Sequence, residues 1–175
     1  MPFVQMETFA KPVRTKTGKN HASDGANQAI NELKELRDKD PEFSTAHWGL
    51  GLIYEQKKMY SEAIAELEKA GGLENSGPNT VASMGHVYAA IGDRTSAMKA
   101  LDKLKGFEKE GRLSPYQLAV VYAGLGETDK AFESLDQALR MRSTLLTYLK
   151  MDPRLESLRK DPRFDGLIHR IGVPA

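Results

Sequence analysis

Residues 124–130, with the sequence GLGETDK, combine glycines with a threonine, an aspartate and a lysine, the residue types that phosphate-binding loops use. A phosphate loop of the common kind follows a strand and has a G-x-x-x-x-G-K-S/T frame. That frame is absent here, and the residues on both sides have helical spacing. The stretch is therefore predicted to be a turn between two helices, because glycine commonly ends a helix.

Histidine is the next candidate for chemistry, since it serves as a metal ligand or a proton carrier. The four histidines are His21, His47, His86 and His169, and the chain has no cysteine. No two of these histidines are four residues apart, the helical spacing that places two imidazoles on one zinc ion. The sequence therefore predicts no metal site and no bound cofactor.

Asp152 and Asp161 resemble a pair of catalytic carboxylates, but each of them precedes a proline. Aspartate is a favoured helix N-cap and proline a favoured first helical residue, so capping accounts for both. The G-x-S-x-G motif of many serine hydrolases is also absent. The sequence predicts no catalytic residue and a function other than catalysis.

The elements that carry these residues repeat every 34 positions, without a gap, in three copies. A tyrosine, an alanine and a leucine recur at this interval, as Tyr54, Tyr88 and Tyr122; Ala63, Ala97 and Ala131; and Leu67, Leu101 and Leu135. Within a copy, Leu50, Ile53 and Tyr54 have the spacing of a helix face. Polar or glycine-containing residues near positions 58, 92 and 126 separate the two apolar runs. Each copy is therefore predicted to be a helix, a tight turn and a second helix.

Small residues recur at one position of the first helix, as Gly51, Gly85 and Ala119. Together with the repeated alanines of the second helix, they would let two backbones come close while tyrosine and leucine side chains fill the space around them. One helix pair cannot bury its apolar face alone, so the copies are predicted to stack.

This pattern resembles the tetratricopeptide repeat family. The residues that carry the resemblance are Leu50, Gly51, Tyr54, Ala63, Leu67 and Ala70 in the first copy; Met84, Gly85, Tyr88, Ala97 and Leu101 in the second; and Leu118, Ala119, Tyr122, Ala131, Leu135 and Ala138 in the third. Pro41 also matches the proline that usually ends a repeat. Leu104 stands where a small residue belongs, which predicts looser or shifted packing of the second copy on the third, and Asn75 replaces a terminal proline.

The resemblance implies an all-α fold, a right-handed superhelical stack of antiparallel helix pairs. We expect one lone helix and three pairs within residues 23–140, with the pairs at about 44–75, 78–109 and 112–140. Residues 1–22 are predicted to form an irregular basic arm. Residues 141–175 contain Asp-Pro-Arg twice, nine residues apart, and are predicted to form short helices that cap the last repeat. This last segment resembles the tail that follows such repeats in some bacterial multidomain proteins.

Charge is unevenly distributed although the net charge is only +1. The ends are basic and the middle of the chain, residues 23–139, is acidic. This is not the broad basic field of a duplex-binding protein, so nucleic acid is an unlikely partner. No apolar run approaches the length that spans a bilayer, and the N-terminus lacks the apolar core of a secretory signal. The sequence therefore predicts no membrane partner and a cytoplasmic location.

The first helix of each pair lines the concave face of tetratricopeptide arrays, and the resemblance places exposed groove positions there. The predicted partner-binding residues are Trp48, Leu52, Glu55, Asn79, His86, Tyr116 and Val120. Tryptophan and tyrosine are enriched at binding hot spots. The same side chains could instead pack against neighbouring helices, and the sequence does not decide between these two roles. Since the groove positions include no lysine or arginine, the sequence argues against a clamp for a peptide's carboxylates.

The predicted function is a non-catalytic scaffold that binds a protein or peptide segment in this groove. The expected partner is apolar with basic flanks, as residues 3–16 of the chain themselves are, so the N-terminal arm is expected as one possible occupant, in its own chain or a neighbouring one. Self-association as an assembly module of a larger complex is the alternative, and an enzyme is less favoured.

Overall fold

The computed structural model describes residues 21–72 and 76–172, and the side chains among them from residue 28 onward. The described residues form the α-helices α1 (His21–Lys39), α2 (Ser44–Gln56), α3 (Tyr60–Lys69), α4 (Pro78–Ala90), α5 (Arg94–Lys109), α6 (Pro115–Gly124), α7 (Thr128–Arg140) and α8 (Pro162–Ile171). Two 3-10 helices, η1 (Thr144–Tyr148) and η2 (Pro153–Leu158), lie between α7 and α8. No strand occurs in these ranges, and the predicted all-α fold is confirmed. The expected docking of the N-terminal arm and the departure at Asn75 lie outside the described residues.

The turn inside each helix pair has the same backbone hydrogen bond in all three copies. An amide just after the turn donates to a tyrosine carbonyl at 2.9 Å, from Met59 to Tyr54, Asp93 to Tyr88 and Glu127 to Tyr122. The residue before that amide has a positive φ in every copy, +58° at Lys58, +82° at Gly92 and +73° at Gly126. The GLGETDK stretch is thus an inter-helix turn, as predicted, and its glycine ends α6 in a left-handed conformation.

Lys58 is the one of these three turn residues that carries a side chain, and it should weaken the first helix pair. A left-handed conformation costs a residue with a β-carbon roughly 1–2 kcal/mol, a cost that glycine does not have. Part of the stabilisation from removing this cost is offset, because glycine loses more backbone entropy on folding than lysine does. We expect Lys58→Gly to stabilise the protein by about 1 kcal/mol in urea unfolding. Gly126→Ala serves as the reverse change and should destabilise it, whereas a loss of stability in both variants would contradict the turn geometry.

Small residues allow the helices to approach where the sequence placed them. A β-carbon added at Gly85 would lie 2.9 Å from the β-carbon of Ala100 and 2.9 Å from a methyl group of Val121. At Gly51, the added atom would lie 2.7 Å from Leu67. Both distances are too short for carbon atoms, so the glycines are required by close helix packing, as the repeat pattern predicted.

The helix pairs α2–α3, α4–α5 and α6–α7 stack in chain order, with α1 packed on α2. The first helices of the pairs lie side by side, since α4 contacts both α2 and α6. Leu104 on α5 is fully buried in a cluster with Val81, Leu101 and Val121. The larger side chain at this position is therefore accommodated inside the interface between the second and third pairs.

The segment after α7 covers the end of the stack. Asp152 caps η2 and Asp161 caps α8, each through its side chain, which confirms the predicted capping role of both residues. Leu146, Leu155 and Phe164 from this segment share a core cluster with residues of α6 and α7. We call residues 144–171 the cap. Its apolar side chains pack on α6 and α7, and several of its residues line the cavity on the concave side.

Candidate functional site

A cavity of about 250 Å³ lies on the concave side, between the first helices of the pairs and the cap. Its lining from the helices comes from Trp48, Leu52 and Glu55 on α2, Asn79 and Ala82 on α4, and Tyr116, Gln117 and Val120 on α6. The cap contributes Leu145, Tyr148, Met151, Asp152, Pro153 and Arg154. The volume is slightly below the roughly 300–1,000 Å³ of typical small-molecule pockets.

Arg154 crosses from the cap to the repeats and joins the two. Its guanidinium binds the carboxylate of Asp152 through two hydrogen bonds of 2.8 and 2.7 Å, and it donates to the hydroxyl of Ser83 on α4 at 3.1 Å. Tyr116 on α6 donates its hydroxyl to the same carboxylate at 2.9 Å. The indole of Trp48 on α2 donates to Ser83 at 3.2 Å. All three first helices are therefore tied to the cap through one hydrogen-bonded network.

The charges in this network stabilise one another. Burial opposes ionisation of Asp152, but the charge and hydrogen bonds of Arg154 outweigh it and lower the pKa of Asp152 below its ordinary value of 3.8. Burial likewise opposes the charge of Arg154, and Asp152 more than offsets it, so the pKa of Arg154 is raised. Burial, together with the negative charge of Asp152, raises the pKa of the Tyr116 hydroxyl. Asp152 and Arg154 are therefore a permanent ion pair near neutral pH.

This pairing predicts a specific loss of stability in acid. Since the folded-state pKa of Asp152 is lower than the unfolded one, its contribution is complete above pH 3.8 and is lost as the pH falls through the folded-state pKa. Wild type should therefore lose stability more steeply than Asp152→Asn below about pH 4, where the free energy of unfolding is followed by urea titration at each pH. If the free energy of unfolding fell equally steeply with pH in the two proteins, the ion pair would not stabilise the fold as described.

Two further polar side chains of the cavity are held by neighbours. The amide nitrogen of Gln117 donates to the Asn79 side-chain oxygen at 2.6 Å, and the Gln117 oxygen accepts from the backbone of Ser114 at 2.8 Å. Because its oxygen is engaged in this way, Asn79 has its amide nitrogen left to present as a donor. On the other side of the cavity, His86 donates through Nδ1 to Oε1 of Glu55 at 2.5 Å.

Most of the predicted groove residues come together in this cavity. Six of the seven line it, namely Trp48, Leu52, Glu55, Asn79, Tyr116 and Val120. His86 does not line it but contacts the cavity through Glu55. That these residues bind a partner stays a prediction. Their common location on the first helices of the three pairs follows the expectation from the repeat register.

The expected exposure of three of these residues is wrong. Glu55, Tyr116 and Val120 are buried, at 7%, 3% and 1% exposure. Asp152 in the cap accepts the Tyr116 hydroxyl, and Tyr116 and Val120 share a core cluster with the cap, so it is this segment that covers them. Asn79 is exposed, whereas Trp48 and Leu52 are half-buried. The accessible part of the surface therefore lies on α2 and at the start of α4, and the α6 residues are covered.

The sequence missed the contribution of the cap to the concave surface. It treated Asp152 only as a helix cap, and it found no lysine or arginine among the groove positions. The structure places Arg154 in the cavity, although its guanidinium is already bound to Asp152. The second Asp-Pro-Arg has the same internal pairing, but there Arg163 is exposed and bridges to Asp129 on α7. The motif alone gave no signal that distinguishes its two copies.

The described ranges contain neither a candidate metal-binding cluster nor a helix that could span a membrane. Within them, no three or more histidine, cysteine, aspartate or glutamate side chains are grouped so that they could hold a metal ion. No helix there is both long and apolar enough to cross a membrane.

Comparison with known proteins identifies the repeat. A family model described as tetratricopeptide repeat matches residues 23–75, and a second model with that description matches residues 116–145. The stretch between the two matches contains α4 and α5, the pair in which Leu104 departs from the repeat pattern. The search of curated proteins and the search of solved structures each found no match.

Proposed function

The chain is a tetratricopeptide repeat protein, and from this premise we propose that its concave cavity binds an extended segment of a partner protein. Repeats of this family typically serve as non-catalytic scaffolds for protein–protein interaction. The observation that carries the proposal is the cavity between α2, α4, α6 and the cap, which combines apolar and aromatic walls with a few fixed polar groups. Such a combination is characteristic of binding pockets.

The accessible walls suit the apolar part of a partner side chain. Trp48 and Leu52 are half-buried on the helix side of the cavity, and Met151 is 48% exposed on the cap side. The methylene or methyl groups of a side chain inserted between them would remove this surface from water, which is worth about 25 cal/mol per Å². Asn79 lies on the same lining and has a donor for a backbone carbonyl of the segment. The proposed mode is thus one anchor side chain in the cavity, with main-chain hydrogen bonds beside it.

A substitution at each accessible wall tests this proposal. Peptides selected from a random display library on the wild-type protein should bind Leu52→Ala/Met151→Ala at least about tenfold more weakly, because both substitutions remove apolar surface that the anchor side chain covers. Met98→Ala is the matched control, since Met98 is 40% exposed but lies outside the cavity. The measurement is the dissociation constant of each peptide by calorimetry. Equal binding to wild type and the double variant would refute the proposal.

A further inference from the structure

The cavity contains one more buried carboxylate than buried cation. Its charged lining residues are Glu55, Asp152 and Arg154, and each is largely buried. Arg154 is bound to Asp152 in a two-hydrogen-bond pair. The carboxylate of Glu55 also acts electrostatically on Arg154, so the three groups form one cluster with an excess negative charge. A buried excess charge is unfavourable unless another charge compensates it.

His86, the hydrogen-bond partner of Glu55, lies outside the cavity lining. In the described part of the chain it bonds to Glu55 through Nδ1, and this bond requires only the one N–H that a neutral imidazole has. Arg154 is the one cation among the lining residues, and it is bound to Asp152 rather than to Glu55. A cationic side chain of a partner would therefore meet a carboxylate that has no cationic partner within the lining.

The walls above Glu55 suit the stem and the plane of a guanidinium side chain. The half-buried Trp48 and Tyr148 supply aromatic surface, and Leu52 supplies an aliphatic surface on the same helix as Glu55. An arginine can bury its methylene stem on such walls while its charged head reaches a carboxylate. Its planar head also stacks on aromatic rings and is more weakly hydrated than an ammonium group.

We infer that the anchor which enters this cavity is an arginine side chain of the partner segment, paired with Glu55. This inference rests on the proposed function and specifies the chemistry of the partner. The acidic body of residues 23–139 favours the same class of segment, because opposite charge accelerates and orients association. A neutral apolar anchor would fill the walls but leave the carboxylate of Glu55 uncompensated.

A matched pair of small molecules tests the inference without an identified partner. Butylguanidinium and butylurea have the same stem and a head of similar shape, and only the first has a charge. Trp48 is the single tryptophan of the chain and lines the cavity, so its fluorescence reports binding. Both molecules are titrated into the full chain at constant ionic strength, with guanidinium chloride as the control for the head without a stem. We expect saturable binding of butylguanidinium in the millimolar range, at least about tenfold tighter than butylurea.

Glu55→Gln is the decisive variant, because glutamine keeps an oxygen that accepts from His86 and removes only the charge. The preference for butylguanidinium should fall below about threefold, while unchanged butylurea binding shows that the cavity is intact. Asp161→Asn removes one negative charge outside the cavity and should leave the preference as in wild type. Equal binding of the two molecules to wild type would overturn the arginine anchor and leave the proposed function standing. No saturable binding of either molecule would also overturn the arginine anchor, whereas the peptide titrations decide on the proposed function.

Discussion

Arg154→Ala should lower the free energy of unfolding by about 3–5 kcal/mol, the cost of leaving one member of a buried ion pair without its partner. The side chains of Arg154 and Asp152 are 15% and 6% exposed, and their pair has two hydrogen bonds. After the substitution, Asp152 would keep the Tyr116 hydroxyl and the backbone amide of residue 154 as donors but would lose its counter-charge. Ser83 would also lose a donor. Urea unfolding followed by circular dichroism measures the change.

Arg163→Ala is the matched control, because it makes the same change in the same Asp-Pro-Arg motif. Arg163 and Asp161 are 47% and 24% exposed, and an exposed ion pair contributes much less to stability than a buried one because water screens it. Arg163 also lies over the ring of Phe132, at 4.3 Å from its centre, which adds a further small contribution. We expect a loss of stability well below that of Arg154→Ala. If the two arginine variants lost the same stability, the buried hydrogen-bonded network between the cap and the repeats would not stabilise the fold as described.

Leu104→Ala should destabilise the protein by about 2–5 kcal/mol, even though it restores the small residue that the repeat pattern favours. The corresponding residues are Ala70 and Ala138, which are buried as alanines. At position 104 the neighbouring side chains, including Val81 and Val121, enclose a leucine that is fully buried. Truncation would leave a cavity between the second and third helix pairs, and rigid helix packing would close it only in part.

Leu36→Ala is the comparison for this substitution, since Leu36 is also helical but 42% exposed. Its loss should stay within about 0.5 kcal/mol, as is usual for surface substitutions. Both variants are compared with wild type by urea unfolding at one protein concentration. A Leu104→Ala protein as stable as wild type would show that the interface tolerates the family residue, contrary to the packing described.

The repeat architecture could be predicted because its signals are local and recur. The 34-residue period placed the tyrosines, the alanines and the turns at Gly92 and Gly126, and Asp-Pro placed the starts of η2 and α8. Each of these features depends on residues within a few positions of one another, so each can be recognised directly in the sequence. The expectation that the first helix of each pair faces the concave side came from the family resemblance rather than from the period.

The closure of the concave surface could not be predicted in the same way. Arg154 binds Ser83, 71 positions earlier, and Tyr116 binds Asp152, 36 positions later. The same Asp-Pro-Arg motif is buried at 152–154 and exposed at 161–163, because a different surface lies beneath each copy. Burial of Tyr116 and Val120 is therefore a property of the packed cap and has no counterpart in the local sequence.

The indole N–H resonance of Trp48 in a nitrogen-15 NMR spectrum reports most directly whether a partner segment enters the cavity. The chain has one tryptophan, so this resonance is unambiguous, and its N–H donates to Ser83, which also accepts a hydrogen bond from Arg154 of the cavity lining. Titration with a peptide that calorimetry shows to bind should shift the resonance along a saturating curve with the same dissociation constant. If a peptide binds while this resonance keeps its position, the partner segment does not enter the cavity and the proposed binding site is wrong.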